Sequence, residues 1–120
     1  MGKQIVRRGS IVLVRYPFSD LSGTKVRPAV ILTPDNLLSR MDDVLCLFIS
    51  SSTPADILPS DLILEKSHPS FAKTGLQFQS VFRAHKLALL HRSLVVRALG
   101  EADPKLIEML NGKLRVALGL

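Results

Sequence analysis

The run from Ser10 to Leu32, SIVLVRYPFSDLSGTKVRPAVIL, limits what this chain can fold into more than any other stretch. Ile11 to Val14 form an unbroken apolar segment, short enough for a core strand and too short for a stable isolated helix. The turn-forming residues Pro17, Ser19, Asp20, Ser22 and Gly23 end it. A second apolar segment, Ala29 to Leu32, follows Pro28 directly. The stretch therefore reads as strand, loop, strand, with Pro17 to Val26 as the connecting loop. Arg27 stands at the seam, where the following proline pushes its backbone into extended geometry. Its planar fork of donors suits a phosphate.

The remainder continues in short strands. Asp43 to Ser50 (DVLCLFIS) predicts a third strand, Asp61 to Glu65 (DLILE) a fourth, and Gln79 to Leu90 a fifth. On that fifth strand a period of two sets Val81, Arg83 and His85 on one face and Phe82, Ala84 and Lys86 on the other. Ser93 to Leu99 is a further short strand. Thr33 to Arg40 and Lys66 to Gly75 read as loops with one helical turn each. Asp103-Pro104 has the residues of an N-cap and first helical position. Leu106, Ile107, Leu110, Leu114, Ala117 and Leu118 then form an apolar stripe at helical spacing, interrupted by Gly112. Five or six short strands and one C-terminal helix imply a mainly β domain over residues 1–120, built as a small bent sheet or partial barrel.

Charge narrows the partners. The 120 residues carry a formal net charge of +6, with 16 Lys and Arg against 10 Asp and Glu. The pI of about 10.0 makes the chain a nucleic-acid candidate, the alternative being a basic protein with no polyanion partner. The single cysteine, Cys46, sits in an apolar run and reads as a core residue, with no zinc spacing around it. There is no leader pattern at the N-terminus and no apolar run of membrane-spanning length, so the expectation is a cytoplasmic protein without a membrane role.

Three polar clusters stand at strand edges: Lys25 with Arg27; Ser50, Ser51, Ser52 and Thr53; and Arg83, His85 and Lys86. Cleaving RNA without a metal needs a base for the 2′-hydroxyl, help for the leaving 5′-oxygen, and fixed positive charge around phosphorus. The carboxylates are scattered, so neither a metal nor another cofactor is expected. Each residue also has a plainer reading. Arg27 could pair with Asp20, Arg83 could be a solvated edge charge, His85 a structural histidine, and Ser50 and Ser51 strand terminators bonded to backbone. His68 and His91 read as a turn and a surface residue.

Arg8-Gly9, Ile11 to Val14, Pro17 to Gly23 and Arg27-Pro28-Ala29-Val30-Ile31-Leu32, in that order, resemble the start of the PemK/MazF family of toxin–antitoxin ribonucleases. Ser10 stands where that family usually has an acidic residue. The resemblance implies an SH3-like (CcdB/PemK/MazF-type) β-barrel with a terminal helix. It also implies an mRNA interferase that cuts single-stranded RNA by attack of the substrate's own 2′-hydroxyl, leaving a 2′,3′-cyclic phosphate. Expected partners are RNA, a second copy of the chain in a homodimer, and an antitoxin with an acidic C-terminal tail. Ile49-Ser50-Ser51 fills the place of the family's Thr or Ser after the third strand. Ser80 to Lys86 resembles its Val-Val-Arg-x-Asp-Gln segment, which puts Arg83 on the Arg and His85 on the Asp. Imidazole would then replace carboxylate as base, with an unperturbed pKa of about 6.5 suited to neutral pH. The family's following Gln-x-Arg-Thr is absent, with Lys86, Ala88 and Leu89 in that region.

The resulting site is Arg27, Ser50, Arg83 and His85 for catalysis, with both arginines binding phosphate because guanidinium keeps its proton. Asp20, Lys25, Ser51 and Lys86 are its RNA contacts, and Asp20 is the carboxylate to consider should His85 not be the base. Two rival classes share the fold: a gyrase-binding poison of the CcdB type, and an inactive module that binds RNA or antitoxin.

Overall fold

The computed structural model describes residues 6–17 and 24–120. The expected loop contact Asp20 lies outside them. Six strands form one antiparallel sheet: β1 (Ser10–Pro17), β2 (Thr24–Ile31), β3 (Asp43–Ser50), β4 (Asp61–Leu64), β5 (Ser80–His91) and β6 (Val95–Glu101). Their order across the sheet is β4-β5-β3-β2-β1-β6. Two short helices, α1 (Asp35–Leu38) and α2 (Phe71–Thr74), lie in connections, and α3 (Pro104–Leu118) ends the chain. A 3-10 turn at Arg92–Leu94 separates β5 from β6.

The unbroken apolar runs are explained by burial on both faces of the sheet. Along β1, Ile11 enters one core with Val30, Leu47, Phe82, Leu106 and Leu110. Its neighbours Val12 and Val14 enter a second core with Ala29, Ile31, Val44, Cys46 and Leu90. A strand buried on both sides has no polar face to present, so alternation disappears from its sequence. Cys46 is fully buried, and burial pushes its thiol up to about 12, which leaves it inert.

The first core is closed by α3. Asp103 caps that helix, its carboxylate accepting from the Leu106 amide at 3.0 Å and from the Ser70 hydroxyl at 2.8 Å. Pro104 occupies the first turn, where its missing N–H costs nothing. Arg8 ties the assembly together, donating to the Leu32 carbonyl at the end of β2 and, at 2.7 Å, to Asn111 on α3.

β2 begins earlier than the sequence suggests. Lys25, Val26, Arg27 and Pro28 belong to the strand rather than to a loop or seam, paired with Tyr16, Arg15, Val14 and Leu13 of β1. Pairing with β3 starts only at Ala29, so Pro28 has no ladder donor to lose on that side. The outer ends of β1 and β2 thus form an arm beyond β3, backed by β6 as far as Val14, that carries Arg27.

The barrel is open between its edge strands β4 and β6. Across that gap α2 packs on β6, and two glycines allow the approach. A Cβ on Gly75, which has a φ of 75°, would lie 2.0 Å from the Leu99 carbonyl oxygen. One on Gly100 would lie 2.3 Å from that of Lys73. Only glycine fits where two backbones touch this closely. Gly112 is different, since a Cβ there meets nothing within 4 Å. Gly75→Ala should therefore destabilise the protein by at least about 1–3 kcal/mol, whereas Gly112→Ala should stabilise it by about 0.5–1 kcal/mol through helix propensity. Urea unfolding of the two variants checks both signs.

Candidate active site

The cleft that gathers most of the candidate residues exists because β5 departs from β3. Leu47 pairs with Leu87 but Ile49 pairs with Phe82, so four residues, Arg83 to Lys86, stand opposite Phe48 alone. A bulge of this size bends the strand and re-aims its side chains. Phe82, Ala84 and Leu87 stay with the first core, and both His85 and Lys86 are turned outward between them. Strict alternation across Lys86 therefore fails: it joins Arg83 and His85 instead of the Phe82–Ala84 face.

The opening is a cleft of about 440 Å³ lined by Tyr16, Arg27, Phe48, Ile49, Ser50, Arg83, His85, Lys86 and Leu87. Arg27 reaches it from the β1–β2 arm, and Ser50 from the end of β3. Tyr16 and Phe48 form its aromatic wall, with ring centroids 4.8 Å apart and planes at 61°. The Ser50 hydroxyl donates to the Ser52 carbonyl at 2.9 Å and accepts from the Ser52 amide at 3.1 Å, closing the turn that follows β3. Lys25 is exposed on β2, two residues from Arg27, and is not part of the lining. Ser51 is not part of it either. It lines a second cleft with Leu13, Pro28, Phe78 and Arg97. Successive residues at a strand end point to opposite faces, and Ser50 and Ser51 divide accordingly.

Arg83 is not a solvated edge charge. Its Nε donates to Asp61 Oδ1 at 2.9 Å and its Nη2 to Oδ2 at 3.3 Å, across the β4–β5 register that pairs these residues. The Asp61 side chain has no exposed surface, and its Oδ2 also accepts from the Leu58 amide at 2.9 Å. Burial by itself would raise this carboxyl's pKa. The hydrogen bonds from Arg83 and Leu58, with the charges of Arg83 and His85, outweigh burial and hold it below the ordinary carboxylate range. Asp61 Oδ1 lies 3.9 Å from His85 Nδ1, and the Ser60 hydroxyl lies 2.8 Å from the same nitrogen. Ser60 and Asp61, like Tyr16 and Phe48, join the site without standing in any of the polar clusters seen in the sequence. The only hint was an acidic residue opening a short strand.

The two other histidines are local. His68 Nδ1 accepts from the Ser70 amide at 3.0 Å in the turn before α2, and His91 Nδ1 accepts from the Ser93 amide at 3.1 Å. Among the described residues no group of three or more His, Cys, Asp and Glu side chains could hold a metal ion. Nor is any helix among them long and apolar enough to cross a membrane.

Residues 7–118 match the family model for the PemK-like, MazF-like toxin of type II toxin–antitoxin systems. The chain belongs to that family. Among solved structures this PemK/MazF-family toxin resembles a MazE–MazF complex from Deinococcus radiodurans, with a TM-score of 0.76 at 21% identity, covering 98% of this chain and 99% of that one. It also resembles an endoribonuclease from Mycobacterial species, with a TM-score of 0.73 at 19% identity over 100% of this chain and 97% of that one. The Mycobacterium tuberculosis toxin MazF-mt6 superposes with a TM-score of 0.72 at 18% identity, over 92% and 97% of the two chains. No curated protein matches it. At these identities the structural likeness concerns the fold, which is the mainly β barrel with a C-terminal helix expected from sequence. The Asp61–Arg83–His85 arrangement is read from this toxin's own geometry.

The Asp61–Arg83 pair sets an expectation for stability. A carboxyl whose folded pKa is depressed contributes stability above its unfolded value, and that contribution is lost as pH falls through the folded value. Unfolding free energy should therefore decline between about pH 5 and pH 2, and Asp61→Asn should flatten that decline. Arg83→Ala leaves the buried charge unpaired and should cost about 3–5 kcal/mol at neutral pH. Urea titrations across this pH range check both.

Proposed function

We propose that this toxin is an endoribonuclease that cuts single-stranded RNA without a metal, through attack of the 2′-hydroxyl on the adjacent phosphate. The observation that carries the reading is the convergence of Arg27 from β2 with Arg83, His85 and Lys86 from β5 on one cleft beside an aromatic wall. Fixed cations in a recess attract a phosphodiester backbone, and a ring such as Tyr16 or Phe48 offers a base a stacking surface. The solved structures of similar fold include one named as an endoribonuclease.

In this reading Arg27 binds the scissile phosphate and stabilises the charge that grows on it at the transition state. Arg83 spends two donors on Asp61 and keeps its remaining nitrogen for the substrate side. Lys86 adds a point charge, and Lys25 extends the basic track along β2. Ser50 contacts phosphate by exchanging its bond to Ser52. His85 takes the proton of the 2′-hydroxyl. The products are a 2′,3′-cyclic phosphate and a 5′-hydroxyl.

The same basic cleft suits an acidic peptide, and solved structures of similar fold include an endoribonuclease in complex with its cognate antitoxin. An antitoxin with an acidic tail would occupy the cleft through its carboxylates and exclude RNA. The protein works in the cytoplasm, where both partners are made, and as a homodimer. Leu118 and Leu120, both exposed on and beyond α3, are the apolar surface that a second copy would cover.

Incubating the purified protein with single-stranded RNA in excess chelator tests the proposal. Cleavage should persist, and Arg27→Ala should slow it by at least about 10²-fold, as expected for the loss of one preorganised donor. Arg27→Lys should rescue only part of the rate, because an ammonium does not make the bidentate contact. Affinity for RNA should fall with salt at a slope of roughly −0.7 per neutralised phosphate. A rate abolished by chelator, or an affinity insensitive to salt, contradicts the proposal.

A further inference from the structure

His85 differs from the other histidines in how its ring is held. His68 and His91 each accept a hydrogen bond at Nδ1 from a backbone amide two residues on, an arrangement within a single turn. At His85 the partners of Nδ1 come from another strand and the residue before it: the Ser60 hydroxyl at 2.8 Å and the buried Asp61 carboxylate at 3.9 Å. Ser60 is itself fixed, since its carbonyl accepts from the Ala84 amide at 3.3 Å. Asp61 is fixed by Arg83 and by the Leu58 amide. The ring therefore has one nitrogen turned toward a hydroxyl and an anion. The other, Nε2, has no hydrogen-bond partner among the described residues, and the side chain lines the cleft.

An imidazole beside a carboxylate and a hydroxyl is most stable with its proton on the nitrogen that faces them, because N–H···O is attractive and a lone pair facing a carboxylate is repelled. Building on the ribonuclease reading, we infer that Ser60 and Asp61 are positioning residues that hold neutral His85 in the Nδ1–H form, keeping the Nε2 lone pair for the substrate. Nε2 takes the proton of the 2′-hydroxyl as the O2′–P bond forms. The P–O5′ bond breaks with its electron pair on O5′, which is protonated by water. Asp61 touches no substrate. Its second partner, Arg83, is anchored by the same carboxylate, so one buried group sets the spacing between the base and a phosphate-binding cation. The other charged or titratable groups around the ring are Arg27 from β2, Lys86 from β5 and Tyr16 from β1.

Two measurements test the inference. The first is nitrogen-15 NMR of the histidine rings in the wild-type protein above the imidazole titration. Neutral His85 should be protonated at Nδ1, and Ser60→Ala should move a substantial part of the population to Nε2–H. The second is RNA cleavage by Ser60→Ala, which should lower kcat by about tenfold with KM nearly unchanged. Ser60→Thr, which keeps the hydroxyl, should restore most of it. Asp61→Asn should lower kcat further, and circular dichroism with urea unfolding would show whether the variant is folded. Where it is not, the Ser60 pair decides the question. A wild-type Nε2–H tautomer, or a Ser60→Ala protein with unchanged tautomer and kcat, overturns the inference. If the wild-type protein cleaves no RNA, the ribonuclease reading fails, and the spectrum alone then decides whether Ser60 and Asp61 set the tautomer.

Discussion

A carboxylate with no exposed side-chain surface is costly unless its charge is compensated and its lone pairs are met. Asp61 meets both conditions through Arg83 and the Leu58 amide, and these bonds fix the site. Replacing the pair by apolar residues of equal volume would cost the fold little, since such pairs seldom add net stability. Its value lies in placement. It locks β4 against β5 at the point where β5 parts from β3, and the bulge that opens there is the recess lined by Arg83, His85 and Lys86.

The rest of the barrel serves this arrangement. β1 and β2 are buried on both faces through Ile11, Val12, Val14, Ala29, Val30 and Ile31, so the arm beyond Ala29 projects from a rigid base. Arg27 is carried on that arm, opposite Val14 in the ladder. Burial of Ile49 brings Ser50 to the cleft rim and sends Ser51 to the other face. On the far side α3 is capped by Asp103, and the glycine contacts bring α2 against β6. Both cores thus lie away from the cleft mouth, where Arg27, His85 and Lys86 are exposed.

Much of the fold was legible in the chain because its signals are local. The run Asp43 to Ser50 gave its strand to the residue, and Asp103-Pro104 gave the start of α3, since apolar runs and caps act over a few neighbours. The family was legible in residues 8 to 32 for the same reason. β2 reads short in the sequence because Pro28 and the polar Lys25 and Arg27 resemble a loop. A proline is tolerated there only because β3 does not pair at that point, which is a tertiary fact. In the site, the sequence candidates Arg27, Ser50, Arg83 and His85 share a cleft, while Lys25 and Ser51 lie off it. Ser60 and Asp61 carry no local signal, because their meaning depends on pairing with β5, far along the chain. Period-two reasoning assigns Lys86 to the wrong face, since it does not survive a bulge.

In the proposed reaction the cleft cleaves RNA through the substrate's own 2′-hydroxyl. A short oligoribonucleotide carrying one scissile site, compared with the same strand bearing a single 2′-deoxy sugar 5′ to the scissile phosphate, isolates that step. Both strands should bind with similar affinity at fixed salt, only the all-ribose strand should be cut, and mass spectrometry should find a 2′,3′-cyclic phosphate on its new end. Cleavage of the deoxy-substituted strand at an undiminished rate would contradict it.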